Sequence, residues 1–292
     1  MKLDKLGVWF FCDAMSATDA AAFARRVESL GYSALWIPEA TGREVLASSS
    51  WLLAATERLV VATGIANIYA RDAMTMAAGA KTLAEQSQGR FLLGIGVSHR
   101  PLVEGVRGHD YSKPLTYMRG YLDAMDGALY SAVGHDDAAP VVIGALHPKM
   151  LALAAERTAG AHPYLVPPEH TAFARETMGP DAWICTEQKV LLETDATKAR
   201  AVAREAIAMY LGLPNYRRNL LRFGLDEDDF ESGGSDRLVD AVVAWGDEKA
   251  IDERIRAHRD AGADHVCIQP VHPEGLPLPD DRVLEAFAPA KN

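Results

Sequence analysis

Gly94-Ile-Gly96-Val-Ser-His99 places two glycines, a hydroxyl and an imidazole at the end of an apolar run that begins at Phe91. Glycine carries no Cβ, so a ligand can lie directly against the main chain there. Ser98 adds a hydrogen-bond donor, and His99 titrates near neutrality, which suits giving or taking a proton beside a reacting carbon. Leu59-Val-Val-Ala-Thr-Gly-Ile-Ala-Asn-Ile-Tyr-Ala-Arg71 has the same form, a β-branched apolar run that ends in small and polar residues. The two segments read as consecutive strands whose ends suit contact with a flat ligand. Glu39 ends an earlier apolar run, Ala34-Leu-Trp-Ile37, and offers a carboxylate at an equivalent place.

Other chemistries find less in this chain. Gly94-x-Gly96 opens like a dinucleotide fingerprint, but His99 stands where the third glycine belongs and an irregular loop follows, so a Rossmann site is a poor reading. The nine histidines show no His-x-x-x-His or His-Glu-x-x-His spacing, and Gly134-His-Asp-Asp137 with Glu187 makes no recognisable ligand set, so no metal is expected. A Gly-x-Ser-x-Gly nucleophile elbow is absent. Cys12, Cys185 and Cys267 lie far apart in apolar runs without a Cys-x-x-Cys pair, and read as buried reduced thiols.

The bulk numbers are permissive about fold and restrictive about partners. At 292 residues with 49% hydrophobic content, one large α/β barrel can be filled. A formal net charge of -10 works against a nucleic-acid or anionic-membrane partner and leaves room for a small-molecule substrate. No run of about 18 apolar residues occurs, and the N-terminal residues lead into a strand without a signal-peptide pattern, so a soluble, cytoplasmic protein is expected.

Strand-like and helix-like patterns alternate along the whole chain. Leu6 to Phe11 is the first strand, followed by a helix that Ser16-Ala-Thr-Asp19 caps and Gly31 stops. Ala34 to Ile37, Leu59 to Ala66, Phe91 to Ile95, Pro140 to Ile143 and His162 to Val166 continue the series. Trp183 to Glu193 and Asp264 to Val271 complete it. Between strands run helices that include Ala73 to Gln86, Leu115 to Tyr130, Pro148 to Thr158, one capped by Asp195 and one capped by Asp247. Residues 213 to about 246 are material the repeat does not need. The expected architecture is α/β, a single (β/α)8 TIM barrel over residues 1–292 with a late helical insertion at about 213–246. In such a barrel the site lies at the carboxyl ends of the strands.

Five segments carry a resemblance in the same order along the chain. They are Gly31-Tyr-Ser-Ala-Leu-Trp-Ile-Pro-Glu39, Ala62-Thr-Gly-Ile-Ala-Asn67, Thr82-Leu-Ala-Glu85 with Gly89-Arg-Phe-Leu-Leu-Gly-Ile-Gly96, Tyr210-Leu-x-Leu-Pro-Asn-Tyr216, and Gly262-Ala-Asp-His-Val-Cys-Ile-Gln269. The chain resembles the luciferase-like flavin and deazaflavin oxidoreductases, and more closely their actinobacterial coenzyme F420-dependent branch. The resemblance implies a homodimer of barrels, each with the deazaflavin ring across the strand ends and hydride moving to or from its C5 carbon. It also implies a non-proline cis peptide between Gly64 and Ile65, behind the ring. Gly64, Ile65, Asn67, Gly96, Val97 and Ser98 would then contact the cofactor. Glu39 matches an acidic residue that helps hold it, although the histidine that follows in some relatives is Ala40 here. Gly144, Ala145 and Leu146, in a small-residue loop before a helix N-terminus, match the region that receives the cofactor's phosphate side. Tyr164, Pro167 and His170 on the next loop complete that wall, and Arg100, Arg107 and Lys113 could meet an oligoglutamate tail. His99 stands where sugar-phosphate-oxidising relatives place a catalytic glutamate, so His99 and Glu39 are the candidate catalytic residues. Two other readings stay open: an FMNH2-dependent two-component monooxygenase on the same fold, and a flavin-binding protein with a degenerate site.

Overall fold

The computed structural model describes residues 1 and 3–289, and Lys2 and 290–292 lie outside it. The buried apolar runs form β1 (Leu6–Trp9), β2 (Ala34–Ile37), β3 (Val60–Thr63), β4 (Ala66–Asn67), β5 (Phe91–Gly96), β6 (Val141–Ile143), β7 (Gly160–Ala161), β8 (Trp183–Leu192), β9 (Val243–Gly246) and β10 (His265–Pro270). The helices are α1 (Ala17–Ser29), α2 (Val45–Ala54), α3 (Ala73–Gln86), α4 (Pro114–Asp126), α5 (Pro148–Arg157), α6 (Pro168–Met178), α7 (Ala196–Leu211), α8 (Pro214–Arg222), α9 (Asp236–Val242), α10 (Glu248–Asp260) and α11 (Asp281–Ala286). As the sequence predicts, Ser16, Asp195 and Asp247 cap α1, α7 and α10, each accepting from a backbone N–H three residues on. Those bonds satisfy donors that a helix end leaves without a partner.

Every strand pairing is parallel, in the order β10-β1-β2-β3-β5-β6-β7-β8, and β8 pairs back onto β10 to close an eight-stranded barrel. Cys185 faces His265 in that closing register, and Leu6 faces Val266 on the other side of β10. The TIM barrel expected from the sequence is therefore the fold. Trp9, Trp36, Val60, Leu92, Val142, Cys185 and Cys267 belong to one buried cluster. Trp36 stacks on His162 with ring centroids 4.5 Å apart and donates from its indole nitrogen to His265 Nε2 at 3.1 Å. A larger cluster joins residues of the strands to those of the surrounding helices, with Phe23, Leu52, Leu83, Met118 and Leu151 among its members. Among the described residues no helix is long and apolar enough to cross a membrane.

Several boundaries differ from the sequence-based expectation, and each difference has a local cause. The expected strand Leu59 to Ala66 is two strands, β3 and β4, separated by a cis peptide bond between Gly64 and Ile65. The sixth barrel strand is only Gly160–Ala161, because Pro163 cannot donate and Leu165 takes a left-handed φ of 55°. His162 and Tyr164 thus lie just past it. His170, expected on a loop, is in the first turn of α6, which begins with Pro at N1. The irregular stretch after β5 contains a π-helical turn, Pro101–Val106. Finally, the insertion contains α8, a 3-10 turn at Glu227–Gly233 and α9, and it ends in β9, which pairs with the far end of β8.

Candidate active site

At the carboxyl ends of β5 and β6 the backbone is bare at Gly96 and Gly144. A Cβ added at Gly96 would lie 2.7 Å from Ile65 Cδ1, and one at Gly144 would lie 3.3 Å from Ile65 Cγ2. The Ile65 side chain therefore sits over both strand ends because they carry none of their own. β4 holds the turn in place, pairing Ala66 with Ile95 and Asn67 with Gly96. Ile65, Val97, Ser98, His99, Gly144, Leu146 and Tyr164 are half-buried around this platform, whereas Gly64, Asn67, Gly96 and Ala145 are buried. Ser98 has a left-handed φ of 55°, a costly conformation for a residue with a side chain, and its carbonyl accepts from Tyr111 Oη at 2.8 Å.

Glu39 holds the platform from below. Its Oε2 accepts from the Asn67 backbone N–H at 2.7 Å and from Arg71 Nη1 at 3.0 Å, while Arg71 Nη2 bonds its Oε1. Both side chains are nearly buried, and Arg71 also reaches Glu44 Oε1 at 2.5 Å. Tyr121 Oη in turn donates to the Arg71 carbonyl at 2.9 Å. The nearby Arg43 is engaged elsewhere, its backbone N–H donating to Asp13 Oδ1 and its guanidinium to the Met15 carbonyl. A bidentate guanidinium-carboxylate pair of this kind is strong and directional. Glu39→Gln is expected to lower stability by about 1.5–3 kcal/mol, because it takes a hydrogen-bonded charge from a buried pair. Urea unfolding monitored by tryptophan fluorescence measures it, and an unchanged midpoint would remove Glu39 as a support of β4.

The floor on the opposite side is aromatic and charged. Trp9 donates to the Gly64 carbonyl at 3.0 Å and packs on Tyr164, with centroids 4.9 Å apart. Lys189 Nζ lies 4.0 Å from the Tyr164 ring centroid and 3.4 Å from Glu187 Oε1, with both charged side chains fully buried. Burial pushes the Glu187 carboxyl up and the Lys189 ammonium down, and each charge opposes the other's shift. Tyr164 Oη lies 2.8 Å from Tyr210 Oη and donates to Gln269 Oε1 at 3.0 Å.

The insertion supplies the cover. Tyr216 of α8 is buried against His99, with ring centroids 5.4 Å apart, and against Tyr210. Burial lowers the His99 pKa below the usual imidazole value, and the Asn215 side chain works against that shift. His99 Nδ1 has no hydrogen-bond partner. His147, at the N-cap of α5, is lowered by burial and by Arg218 and Arg222, and its Nε2 is also unpartnered. His170 is held further back, with its Nε2 2.9 Å from the Leu146 carbonyl. Pro167 is the N-cap residue of α6 and its carbonyl accepts from the His170 backbone N–H.

Buried polar atoms without partners are rare in folded chains, and a cluster of them marks a place built for a ligand or water. Here they are Asn67 Nδ2, Tyr69 Oη, His99 Nδ1, Arg107 Nε, His147 Nε2, His162 Nε2, His170 Nδ1, both amide atoms of Asn219, and Arg259 Nε. All but Arg259 Nε belong to β4, to the loops that follow strands, to α6 or to α8. Gly96 and Gly144 both lie against Ile65, and His99 follows three residues after Gly96. Arg71 as the partner of Glu39, the Glu187–Lys189 pair and the α8 residues Asn215, Tyr216 and Asn219 are additions. Glu187 and Lys189 alternate along β8, a signal that two charges share the barrel interior.

Comparison with known proteins gives the family. The chain is 28% identical over 255 residues, covering 73% of each chain, to a protein of Mycobacterium tuberculosis with the provisional name of coenzyme F420-dependent oxidoreductase. It is 28% identical over 238 residues to the 5,10-methylenetetrahydromethanopterin reductase of Methanolobus tindarius, covering 70% of this chain and 71% of that one. The solved coenzyme F420-dependent tetrahydromethanopterin reductase of Methanopyrus kandleri superposes with a TM-score of 0.79 at 18% identity, covering 99% and 98% of the two chains, a likeness of fold. The family profile described as luciferase-like monooxygenase matches residues 5–265, so the chain belongs to that family.

Proposed function

We propose that the protein is an F420-dependent oxidoreductase that exchanges a hydride with a small organic substrate at the carboxyl face of its barrel. The observation that carries this reading is the bare platform of Gly96 and Gly144 beneath Ile65, flanked by the idle polar atoms of Asn67 and His99. A planar ring fits such a surface, since main chain can approach it closely and its polar edge meets unfilled donors and acceptors. The name of the relative from Mycobacterium tuberculosis supports the choice of F420. When bound, the deazaflavin supplies two-electron hydride chemistry at C5.

The chain's own residues do the rest. Ile65, Gly96, Val97 and Ser98 orient the ring, and Glu39 acts on it indirectly by holding β4. The loop Gly144-Ala145-Leu146 before α5 receives the phosphate side, where helix N–H groups favour an anion. Tyr164, with Pro167 and His170 behind it, forms the far wall. His99 donates or accepts the proton that balances hydride arrival at, or departure from, the substrate. Tyr216 and α8 exclude water from that exchange.

The family's monooxygenase name favours a second reading, in which FMNH2 and oxygen act on the same face. Fluorescence titration separates the two. Micromolar binding of F420 with none of FMN is expected, and the reverse pattern overturns the proposal. We also propose a homodimer across α2 and α3, where Trp51 is 52% and Met74 57% exposed. Light scattering should find a dimer in the wild type and a monomer in Trp51→Glu. A monomeric wild type would exclude this assembly.

A further inference from the structure

The most deeply buried polar side chain of α8 has no partner. Asn219 is fully buried, and neither its amide nitrogen nor its oxygen makes a hydrogen bond. Among the described residues no other side chain leaves both a buried donor and a buried acceptor idle. A carboxamide in that state is costly, and a leucine of similar size would not be.

Its place on the helix says what it faces. Three residues earlier, Tyr216 packs on His99 and Tyr164. Four residues earlier, Asn215 reaches His99 with its side chain and His147 with its main chain. Just beyond the helix, Phe223 lies against His170 with ring centroids 5.4 Å apart. Residues three and four apart share a helix face, so Asn219 lies on the face of α8 that makes these contacts. His147 Nε2, which also lacks a partner, belongs to the same rim.

We propose that Asn219, with His147, forms a substrate subsite that takes a hydrogen-bond donor and acceptor side by side, as a carboxamide or lactam presents them. An amide pairs with a second amide through two antiparallel bonds, one in each direction. A ketone, ester or ether fills the donor and leaves the acceptor idle, and a site built for both rejects such analogues strongly. This subsite rests on the strand-end platform being the redox site proposed above, but its test does not depend on the cofactor.

The probe is δ-valerolactam, with δ-valerolactone and cyclohexanone as acceptor-only analogues, read by saturation-transfer NMR on the whole protein with and without F420. The lactam should be saturated at least about fivefold more than either analogue in both states. Asn219→Leu and Asn219→Ala should both abolish that preference and leave F420 affinity within about threefold. Asn219→Leu should hold or raise the Tm, because it removes an unpaired buried amide. Equal saturation of the three probes, or a preference that survives both substitutions, overturns the subsite. So does a Tm lowered by more than about 4 °C in Asn219→Leu, which marks a structural amide. A tenfold loss of F420 affinity overturns it too, because the amide would then hold the cofactor. Lactam preference in a wild type that binds no F420 supports the subsite and removes the deazaflavin reading instead.

Discussion

His99→Ala is expected to lower kcat by about 100-fold or more while the Kd for F420 stays within about threefold, the loss usual for removing a positioned proton donor or acceptor. The imidazole stands at the end of β5 beside the platform, with Nδ1 free and α8 closing over its ring through Tyr216. Burial keeps it neutral near pH 7, so one ring nitrogen can accept while the other donates. Single-turnover oxidation of reduced F420, followed at the oxidised band, separates chemistry from binding. A variant that turns over at the wild-type rate would take His99 out of the chemistry and return the proton to solvent.

The second large effect is on stability at mild acidity. His162, His170 and His265 have pKa values pushed down to about 4, and His258 to about 3, in each case by burial. An unfolded chain protonates each near 6.5, so between that pH and about 4 the unfolded state binds protons that the native state refuses. A depressed native pKa therefore means stability that is complete above pH 6.5 and lost as the pH falls. Each histidine contributes up to about 1.4 kcal/mol per pH unit, and four together remove about 5 kcal/mol per unit near pH 5. Against a total of roughly 5–15 kcal/mol, the fold should fail between about pH 5 and 4. Urea midpoints should be flat above pH 7 and fall steeply below pH 6. His258→Gln, which removes one of the four, should lessen the slope by about a quarter. A midpoint unchanged from pH 7.5 to 5 would contradict the burial of these neutral imidazoles.

Much of this molecule is written locally in its sequence, and the barrel is the clearest part. Most strands of the closed sheet are apolar runs buried on both faces, the polar centre of β8 and the two-residue β7 being exceptions, and capping residues such as Ser16 and Asp247 stand where helices start. The platform glycines could be found because bare backbone at a strand end has few other uses. What was not legible depends on distance in the chain. Glu39 and Arg71 are 32 residues apart and share no periodic pattern, so only the fold makes them a pair. The two-residue β7 is too short to show alternation, and Pro167-Pro168 reads as a loop although proline also opens helices. Residues 213–246 read as surplus to the repeat, yet α8 lays Asn215 and Tyr216 against His99 at the strand ends. An amphipathic helix announces that one face is buried, not what it is buried against.

The proposed redox function depends on a flat ring lying against Gly96, Val97 and Ile65 at the carboxyl ends of β3 and β5. Diffraction from crystals grown with F420 tests that directly. The expected map shows the tricyclic ring in van der Waals contact with Ile65 and the Gly96–Val97 main chain, its C5 edge toward His99. A map in which Tyr216 and its neighbours cover that platform, with F420 absent or bound elsewhere, would contradict it.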